Sequence, residues 1–143
     1  MEKQPFTIER TYSAPADLVW KALTQKELMK QWYFDLKEFK AEVGFVFEFT
    51  GGPSPEKQYL HRCKILEVIP GKKLKHTWEY VNYEGMSYVT FEIFPEGNNT
   101  RVKLTHEGLE TFPASNPDFA QGNFVEGWTM IIGKLLKEFV EVK

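Results

Sequence analysis

Residues 117–143 constrain the fold more than any other segment of the chain, because their apolar side chains recur every three or four positions. This spacing predicts one long amphipathic helix. Its expected buried stripe consists of Phe124, Trp128, Ile131, Ile132, Leu135, Phe139 and Val140. Ser115 and Asn116 supply a polar cap, and Pro117 is tolerated in a first helical turn. A helix of this kind must cover an apolar surface formed by the rest of the chain.

Three glycines interrupt this predicted helix, at Gly122, Gly127 and Gly133. A glycine inside a helix costs up to about 1 kcal/mol relative to alanine. A helix that accepts this cost often needs a close approach to another element or to a ligand. We therefore expect the helix to lie close against a sheet or a bound molecule at these positions.

The composition predicts one domain, residues 1–143, with a large aromatic interior. Aromatic residues make up 15% of the 143 residues and include 12 Phe and 4 Trp. The net charge is only −2, with basic and acidic residues mixed along the chain. Nucleic-acid or anionic-membrane partners require a basic face, so this charge balance argues against both.

The single cysteine and the apolar runs predict where the protein acts. Cys63 is the only cysteine, which excludes an intrachain disulfide and fits a reducing compartment. The N-terminus lacks the apolar core of a signal peptide, and no apolar run approaches the length of a membrane span. We therefore expect a cytoplasmic protein without membrane insertion.

Strand and turn signals predict an α+β domain. Residues 6–12 alternate as a strand, and two short helices follow at 16–24 and 26–31. Turn residues then divide the middle of the chain into six further strands, near 36–40, 43–50, 58–68, 73–80, 86–95 and 100–107. The expected architecture is a curved antiparallel sheet of about seven strands, whose concave side is closed by the C-terminal helix.

Several segments resemble the START-like, or SRPBCC, superfamily. They are Arg10–Pro15, Val19–Thr24, Leu66–Pro70, Leu74–Trp78, Val89–Glu92, Thr100–His106 and the pair Gly127–Trp128. Within the superfamily, the chain is most similar to the family related to the C-terminal domain of the activator of heat-shock protein 90 ATPase. The resemblance implies a helix-grip fold, in which the sheet wraps around the long helix and leaves a cavity between them.

Strand alternation predicts which side chains face the helix. The inward set is Phe45, Phe47, Phe49, Tyr59, His61, Cys63, Ile65, Leu74, His76, Trp78, Tyr80, Ser87, Val89, Phe91, Ile93, Thr100, Val102, Leu104 and His106. Leu66 and Val68 predict a bulge that would reverse the parity at the end of their strand.

Aromatic walls with a few polar atoms suit a small-molecule pocket. The candidate ligand-binding residues are Phe45, Phe47, Phe49, Tyr59, His61, His76, Trp78, Tyr80, Ser87, Val89, Phe91, His106, Phe124, Trp128, Ile131, Ile132 and Leu135. The alternative is a solid core in which local partners satisfy each polar atom. At the pocket entrance we consider Trp32, Tyr33 and Phe34, and also the loop 51–57.

More specific chemistry has weaker support in the sequence. All three histidines share the inward parity, but no close pair has the spacing of metal ligands, so we expect no metal and no cofactor. Cys63 and His61 could imitate a nucleophile and its base. Glu107 or Glu110 could form an acid–base pair with His106.

The leading functional prediction is a non-enzymatic protein that binds a hydrophobic or aromatic small molecule, such as a lipid or a polyketide-like compound. A cyclase- or hydrolase-like enzyme using the same cavity is the first alternative. The resemblance implies a second alternative, an interaction module that regulates a chaperone ATPase. That role would require an exposed apolar patch as the docking surface for the chaperone.

Overall fold

The computed structural model of the protein describes residues 5–33, 36, 38–54 and 56–141, the side chains of 52–54 excepted. Its strands are β1 (Phe6–Tyr12), β2 (Val46–Ser54), β3 (Lys57–Ile69), β4 (Lys73–Tyr80), β5 (Ser87–Glu96) and β6 (Asn99–Glu107). Its helices are α1 (Ala16–Thr24), α2 (Lys26–Trp32), α3 (Gln121–Met130) and α4 (Leu136–Val140). Short 3₁₀ turns cover Leu109–Thr111 and Pro117–Phe119, and a π-helical turn covers Ile131–Leu135.

The strands form one antiparallel sheet in the order β1-β6-β5-β4-β3-β2. The first strand is separated from the others along the chain by the two short helices, yet it pairs with the last strand along the whole of its length. The C-terminal helical segment packs against the inner face of this sheet, which gives the α+β helix-grip architecture that the sequence predicts.

The predicted inward set lies in the core. All of its members are buried except Phe45, which is half-buried at the start of the β2 edge. The predicted bulge is confirmed, because the β3–β4 register shifts between Ile65 and Glu67. Beyond this shift, Leu66 and Ile69 are exposed and Val68 is half-buried. Alternation is thus a reliable guide to the sheet faces up to the bulge.

The predicted strand at 36–40 is wrong, since residues 36 and 38–40 form no strand. Leu36 and Phe39 are buried while Glu38 and Lys40 are exposed, so the apolar pair is three residues apart. The ring of Phe39 packs edge-on against Phe47 at 5.1 Å. The segment therefore contributes side chains to the core instead of a seventh strand to the β2 edge.

The predicted single helix over 117–143 is interrupted after its first turn. The Asn116 side chain accepts a hydrogen bond from the Asp118 amide at 2.9 Å, as expected of a cap, but the turn it caps is the 3₁₀ turn Pro117–Phe119. Ala120 then adopts an extended conformation with ψ 144°, and α3 begins at Gln121. The interruption turns the side chains of Asp118 and Phe119 toward the sheet. Residues 142 and 143 lie outside the described part.

The buried stripe of the C-terminal helices has a strict four-residue step: Phe124, Trp128, Ile132, Leu136 and Val140. Residues four apart drift by about 40° around an α-helix, because it has 3.6 residues per turn. The π-helical turn at Ile131–Leu135 contains more residues per turn, so a step of four residues rotates less there and offsets part of this drift. Leu136 is therefore fully buried, whereas the predicted stripe members Leu135 and Phe139 are half-buried.

Candidate binding cavity

A cavity of about 550 Å³ lies between α3, the 3₁₀ turn before it, and strands β2 to β4. This volume is within the range of about 300–1,000 Å³ that is typical of small-molecule sites. Its lining residues are Gly51, Tyr59, His61, Trp78, Tyr80, Asp118, Phe119, Asn123, Phe124, Glu126, Gly127, Trp128 and Ile131. The cavity opens to solvent along α3, where Asn123, Glu126 and Gly127 are exposed. An open cavity avoids the free-energy cost of a sealed, dry void.

Mutually packed aromatic rings form the apolar wall. Trp78 and Trp128 lie 5.5 Å apart between ring centroids and join the sheet to the helix. Tyr80 stacks on Phe119 at 4.5 Å, and Phe119 lies 5.1 Å from Tyr59. Because each ring contacts others, the wall holds its shape without a ligand.

His61 presents a hydrogen-bond acceptor to the cavity. Its Nδ1 lies 3.0 Å from the Tyr59 carbonyl oxygen and 3.3 Å from that of Phe49, so Nδ1 carries the proton and donates. The Nε2 atom therefore has a lone pair, and no described residue donates to it. Burial lowers the pKa of His61 to about 4, so the ring is neutral at pH 7.

Tyr80 presents a donor beside this acceptor. Its hydroxyl accepts a hydrogen bond from Trp78 Nε1 at 3.1 Å, and no described residue accepts the hydroxyl hydrogen. Burial raises the pKa of Tyr80, so the phenol keeps its proton. Tyr80 and His61 are register partners across β4 and β3, with ring centroids 4.7 Å apart. A neutral donor and a neutral acceptor thus lie side by side in the aromatic wall.

A polar cluster fixes the 3₁₀ turn to the sheet at one end of the cavity. The Tyr59 hydroxyl donates to Asp118 Oδ2 at 2.6 Å, and Asn116 Nδ2 donates to the Tyr59 oxygen at 3.2 Å. Lys57 Nζ lies 3.1 Å from the same Asp118 oxygen. Hydrogen bonds from Tyr59 and Lys57 hold the pKa of Asp118 below its usual value. The cluster explains why the chain departs from a continuous helix here.

His106 belongs to a closed hydrogen-bond chain beneath the cavity. Trp128 Nε1 can only donate, and it lies 2.9 Å from His106 Nδ1, so Nδ1 must accept. The proton is then on Nε2, which donates to Ser87 Oγ at 2.8 Å, and this hydroxyl donates to the Trp78 carbonyl at 2.8 Å. Burial lowers the pKa of His106 to about 3. Both ring nitrogens are occupied, so the suggested acid–base pair with Glu107 or Glu110 is not formed.

The other chemical alternatives also lack the required geometry. His76 is buried, and its Nδ1 lies 2.7 Å from the Thr77 carbonyl oxygen. Cys63 is fully buried, and burial raises the pKa of its thiol, which opposes formation of a nucleophilic thiolate. Among the described residues, no three histidine, cysteine or acidic side chains are grouped as metal ligands.

The structure divides the predicted site residues into two groups. Those that line the cavity are Tyr59, His61, Trp78, Tyr80, Phe124, Trp128 and Ile131. Those that pack in the core or beside it, outside the lining, are Phe45, Phe47, Phe49, His76, Ser87, Val89, Phe91, His106, Ile132 and Leu135. Part of the predicted pocket is therefore filled by aromatic side chains, as the solid-core alternative requires, and the remainder is open.

Trp32 and Tyr33, which were candidates for the pocket entrance, do not line the cavity. Trp32 is buried, donates from Nε1 to the Ala22 carbonyl at 3.0 Å and stacks on Tyr33 at 4.9 Å, away from the cavity lining. Phe34 lies outside the described residues. Gly51, from the second suggested segment, does line the cavity.

Sequence reasoning missed Asp118, Phe119, Asn123, Glu126 and Gly127 as lining residues. Asn123, Glu126 and Gly127 follow the helical spacing i, i+3, i+4 and form a polar stripe next to Phe124 and Trp128. That adjacent stripe was the available signal for a mouth bordered by the helix.

The helix glycines differ in their surroundings, which gives a stability prediction. A Cβ at Gly127 would have no atom within 4 Å, whereas one at Gly133 would lie 3.4 Å from Arg10 Nε. We expect Gly127→Ala to raise the free energy of unfolding by about 0.5–1 kcal/mol, through helix propensity alone. The free energy of unfolding should rise less in Gly133→Ala, because the new methyl group would lie against the Arg10 side chain. Urea unfolding of both variants measures the difference, and a loss of stability in Gly127→Ala would contradict the open environment.

The comparisons with known proteins agree with this architecture. A sequence profile for the family described as Activator of Hsp90 ATPase homolog 1-like protein matches residues 13–141. No curated protein matches the sequence. Among solved structures, protein CV1439 from Chromobacterium violaceum has a TM-score of 0.80 at 20% identity, over 97% of this chain and 98% of that one.

Two further structures extend the likeness. Protein MLL2253 from Mesorhizobium loti has a TM-score of 0.76 at 27% identity, over 95% of this chain and 96% of that one. DynU16, a protein of the dynemicin biosynthetic locus, has a TM-score of 0.78 at 17% identity and covers 98% of this chain but 48% of its own. The profile match spans most of the sequence, and the chain therefore belongs to the Activator of Hsp90 ATPase homolog 1-like family.

Proposed function

We propose that the protein binds a hydrophobic, aromatic small molecule in the cavity between α3 and the sheet. The observation that carries this proposal is an open cavity of about 550 Å³ whose aromatic wall contains two polar groups without described partners, His61 Nε2 and the Tyr80 hydroxyl hydrogen. Burial of the ligand's apolar surface would supply affinity, at about 25 cal/mol per Å². The two polar groups would orient a hydroxyl or carbonyl group of the ligand.

Binding is favoured over the cyclase- or hydrolase-like alternative by the state of the histidines. A general base works best when its pKa lies near the working pH. The pKa of His61 is about 4 because the ring is buried, which makes it a weak base at pH 7. The Tyr80 phenol is suited to donating a hydrogen bond and not to ionising.

We also propose a cytoplasmic location. Cys63 is free and fully buried, which fits a reducing compartment. No helix in the described parts of the chain is long and apolar enough to cross a bilayer.

The test uses N-phenyl-1-naphthylamine, a neutral aromatic dye that fits the volume and accepts excitation energy from nearby tryptophans. Trp78 and Trp128 line the cavity, so we expect saturable quenching of their emission as the dye binds. Gly127→Leu would place a bulky side chain at the mouth and should raise the Kd at least about tenfold, or about 1.4 kcal/mol.

Gly122→Leu is the matched control for this experiment. It lies on the same helix, a Cβ there also has no atom within 4 Å, and Gly122 does not line the cavity. We expect its Kd to equal that of the parent protein. Equal affinity in all three proteins, or no saturable binding in any of them, would reject the proposed cavity site.

A further inference from the structure

We propose that the cavity selects aromatic ligands by charge, accepting neutral and cationic molecules and rejecting carboxylates. This inference rests on the proposed function and specifies the ligand class of the same site. It follows from which ionisable and polar groups line the cavity, and it separates two classes that both fit an apolar pocket: aromatic amines or alcohols on one side, and fatty or aromatic acids on the other.

The lining carries negative charge and no positive charge. Asp118 and Glu126 each contribute a carboxylate, and no lysine or arginine is among the described lining residues. Lys57 lies against Asp118 and offsets that charge. Glu126 has no ion-pair partner among the described residues, so its charge at the mouth is uncompensated. Lys57, the cation next to the lining, is already paired with Asp118, so an anionic ligand would meet the Glu126 charge without a free cation from the described lining to offset it.

The neutral polar groups of the wall reinforce the same preference. His61 Nε2 can only accept a hydrogen bond, because Nδ1 holds the proton. A ligand hydroxyl or ammonium group can donate to it, whereas a carboxylate cannot. Among the sheet side chains that line the cavity, Tyr59 donates to Asp118 and Trp78 donates to Tyr80, so the Tyr80 hydroxyl hydrogen is the one left without a described acceptor. One neutral donor does not replace the solvation of a carboxylate.

The aromatic wall also favours cations. Trp78 and Trp128 present ring surfaces to the cavity, with Tyr80 and Phe119 next to them. A cation within about 6 Å of such a ring is attracted by the ring quadrupole, most strongly by tryptophan. Aromatic rings and carboxylates in one lining resemble the aromatic cages that bind ammonium groups, so we expect an amine to bind more tightly than a carboxylate.

Three naphthalene compounds with the same ring system test the inference: 2-naphthylmethylamine, 2-naphthalenemethanol and 2-naphthoate. The Kd of each compound is measured at pH 7 by isothermal titration calorimetry, in low salt and in about 1 M salt. We expect the ammonium to bind at least as tightly as the alcohol, and the carboxylate to bind about tenfold or more weakly than the alcohol in low salt. High salt screens the charges of the lining, so it should reduce the difference in Kd between the carboxylate and the alcohol.

Glu126→Gln removes the uncompensated charge, so the ratio of the naphthoate Kd to the alcohol Kd should fall several-fold relative to the parent protein. Glu138→Gln is the matched control, because Glu138 is an exposed glutamate of α4 outside the lining. If naphthoate binds as tightly as the alcohol while the neutral dye still binds, the charge selection is overturned and the cavity site stands. If neither the dye nor any of the three compounds binds, both proposals are overturned.

Discussion

Acidification from pH 7 to pH 5 is expected to remove about 5 kcal/mol from the free energy of unfolding, at least a third of the roughly 5–15 kcal/mol that is typical of a domain. The cause is the burial of His61, His76 and His106 in neutral form. Burial lowers their pKa values to about 4, about 4 and about 3, against an unfolded value of 6.5. Each histidine therefore contributes close to 2 kcal/mol over this interval.

The sign follows from where the protons bind. Between about pH 6.5 and pH 5 the unfolded chain takes up a proton at each histidine and the folded chain does not, so acid shifts the equilibrium toward unfolding. The stability that the neutral histidines contribute is fully present above the unfolded pKa of 6.5. It is lost as the pH falls toward the folded pKa values. The neighbours of the rings do not reverse this effect, because no carboxylate among the described residues packs against them. His61 packs against Tyr80 and Trp78, and the other two rings pack against Phe47, Trp78, Phe91, Phe124 and Trp128. A charge on His76 would lower the pKa of His106 further.

Urea unfolding followed by tryptophan fluorescence at half-unit steps from pH 7.5 to pH 4.5 measures this loss. The slope near pH 5.5 should approach three protons, or about 4 kcal/mol per pH unit. His61→Asn keeps a donor near the Tyr59 carbonyl and removes one titrating group, so its slope should be smaller by about one proton. A slope below one proton in the parent protein would mean that the buried rings are charged or hydrated in the folded state.

The inward faces of β2 to β6 could be predicted from the sequence up to the bulge in β3, because alternation has a period of two and the apolar side chains of each strand share one face. The predicted strand at 36–40 failed for the opposite reason. Leu36 and Phe39 are three residues apart, and burying them requires the chain to leave the extended conformation. A run of apolar residues reports burial, and only its period reports the backbone conformation.

The boundary between core and cavity could not be predicted from parity. His76 and Tyr80 share one face of β4, yet only Tyr80 lines the cavity. The difference depends on where the 3₁₀ turn places Phe119, which stacks on Tyr80. The contacts of Asp118 with Tyr59 and Lys57 hold this turn against the sheet, and they join residues about sixty positions apart. No local pattern encodes such a pairing.

Replacement of Trp128 should separate the two roles of this side chain, a wall of the cavity and a hydrogen-bond donor beneath it. Trp128→Ala removes a ring that is 2% exposed and packs on Trp78 and Phe91, so we expect a loss of about 3–5 kcal/mol in the free energy of unfolding. Trp128→Phe keeps most of the ring and removes Nε1. It leaves His106 Nδ1 buried without a donor, which should cost about 1–3 kcal/mol beyond the smaller loss of ring volume.

A double-mutant cycle with His106→Leu isolates the contribution of the Trp128–His106 hydrogen bond to stability. His106→Leu removes the acceptor, so the part of the Trp128→Phe cost that comes from the orphaned nitrogen should disappear in the double variant. Urea unfolding of the parent, the two single variants and the double variant gives a coupling energy, expected at about 1–2 kcal/mol. A coupling near zero would mean that the 2.9 Å contact contributes no stability. A large coupling would identify the chain from Trp128 through His106 to Ser87 as the connection that fixes the helix over the sheet and keeps the cavity wall in place.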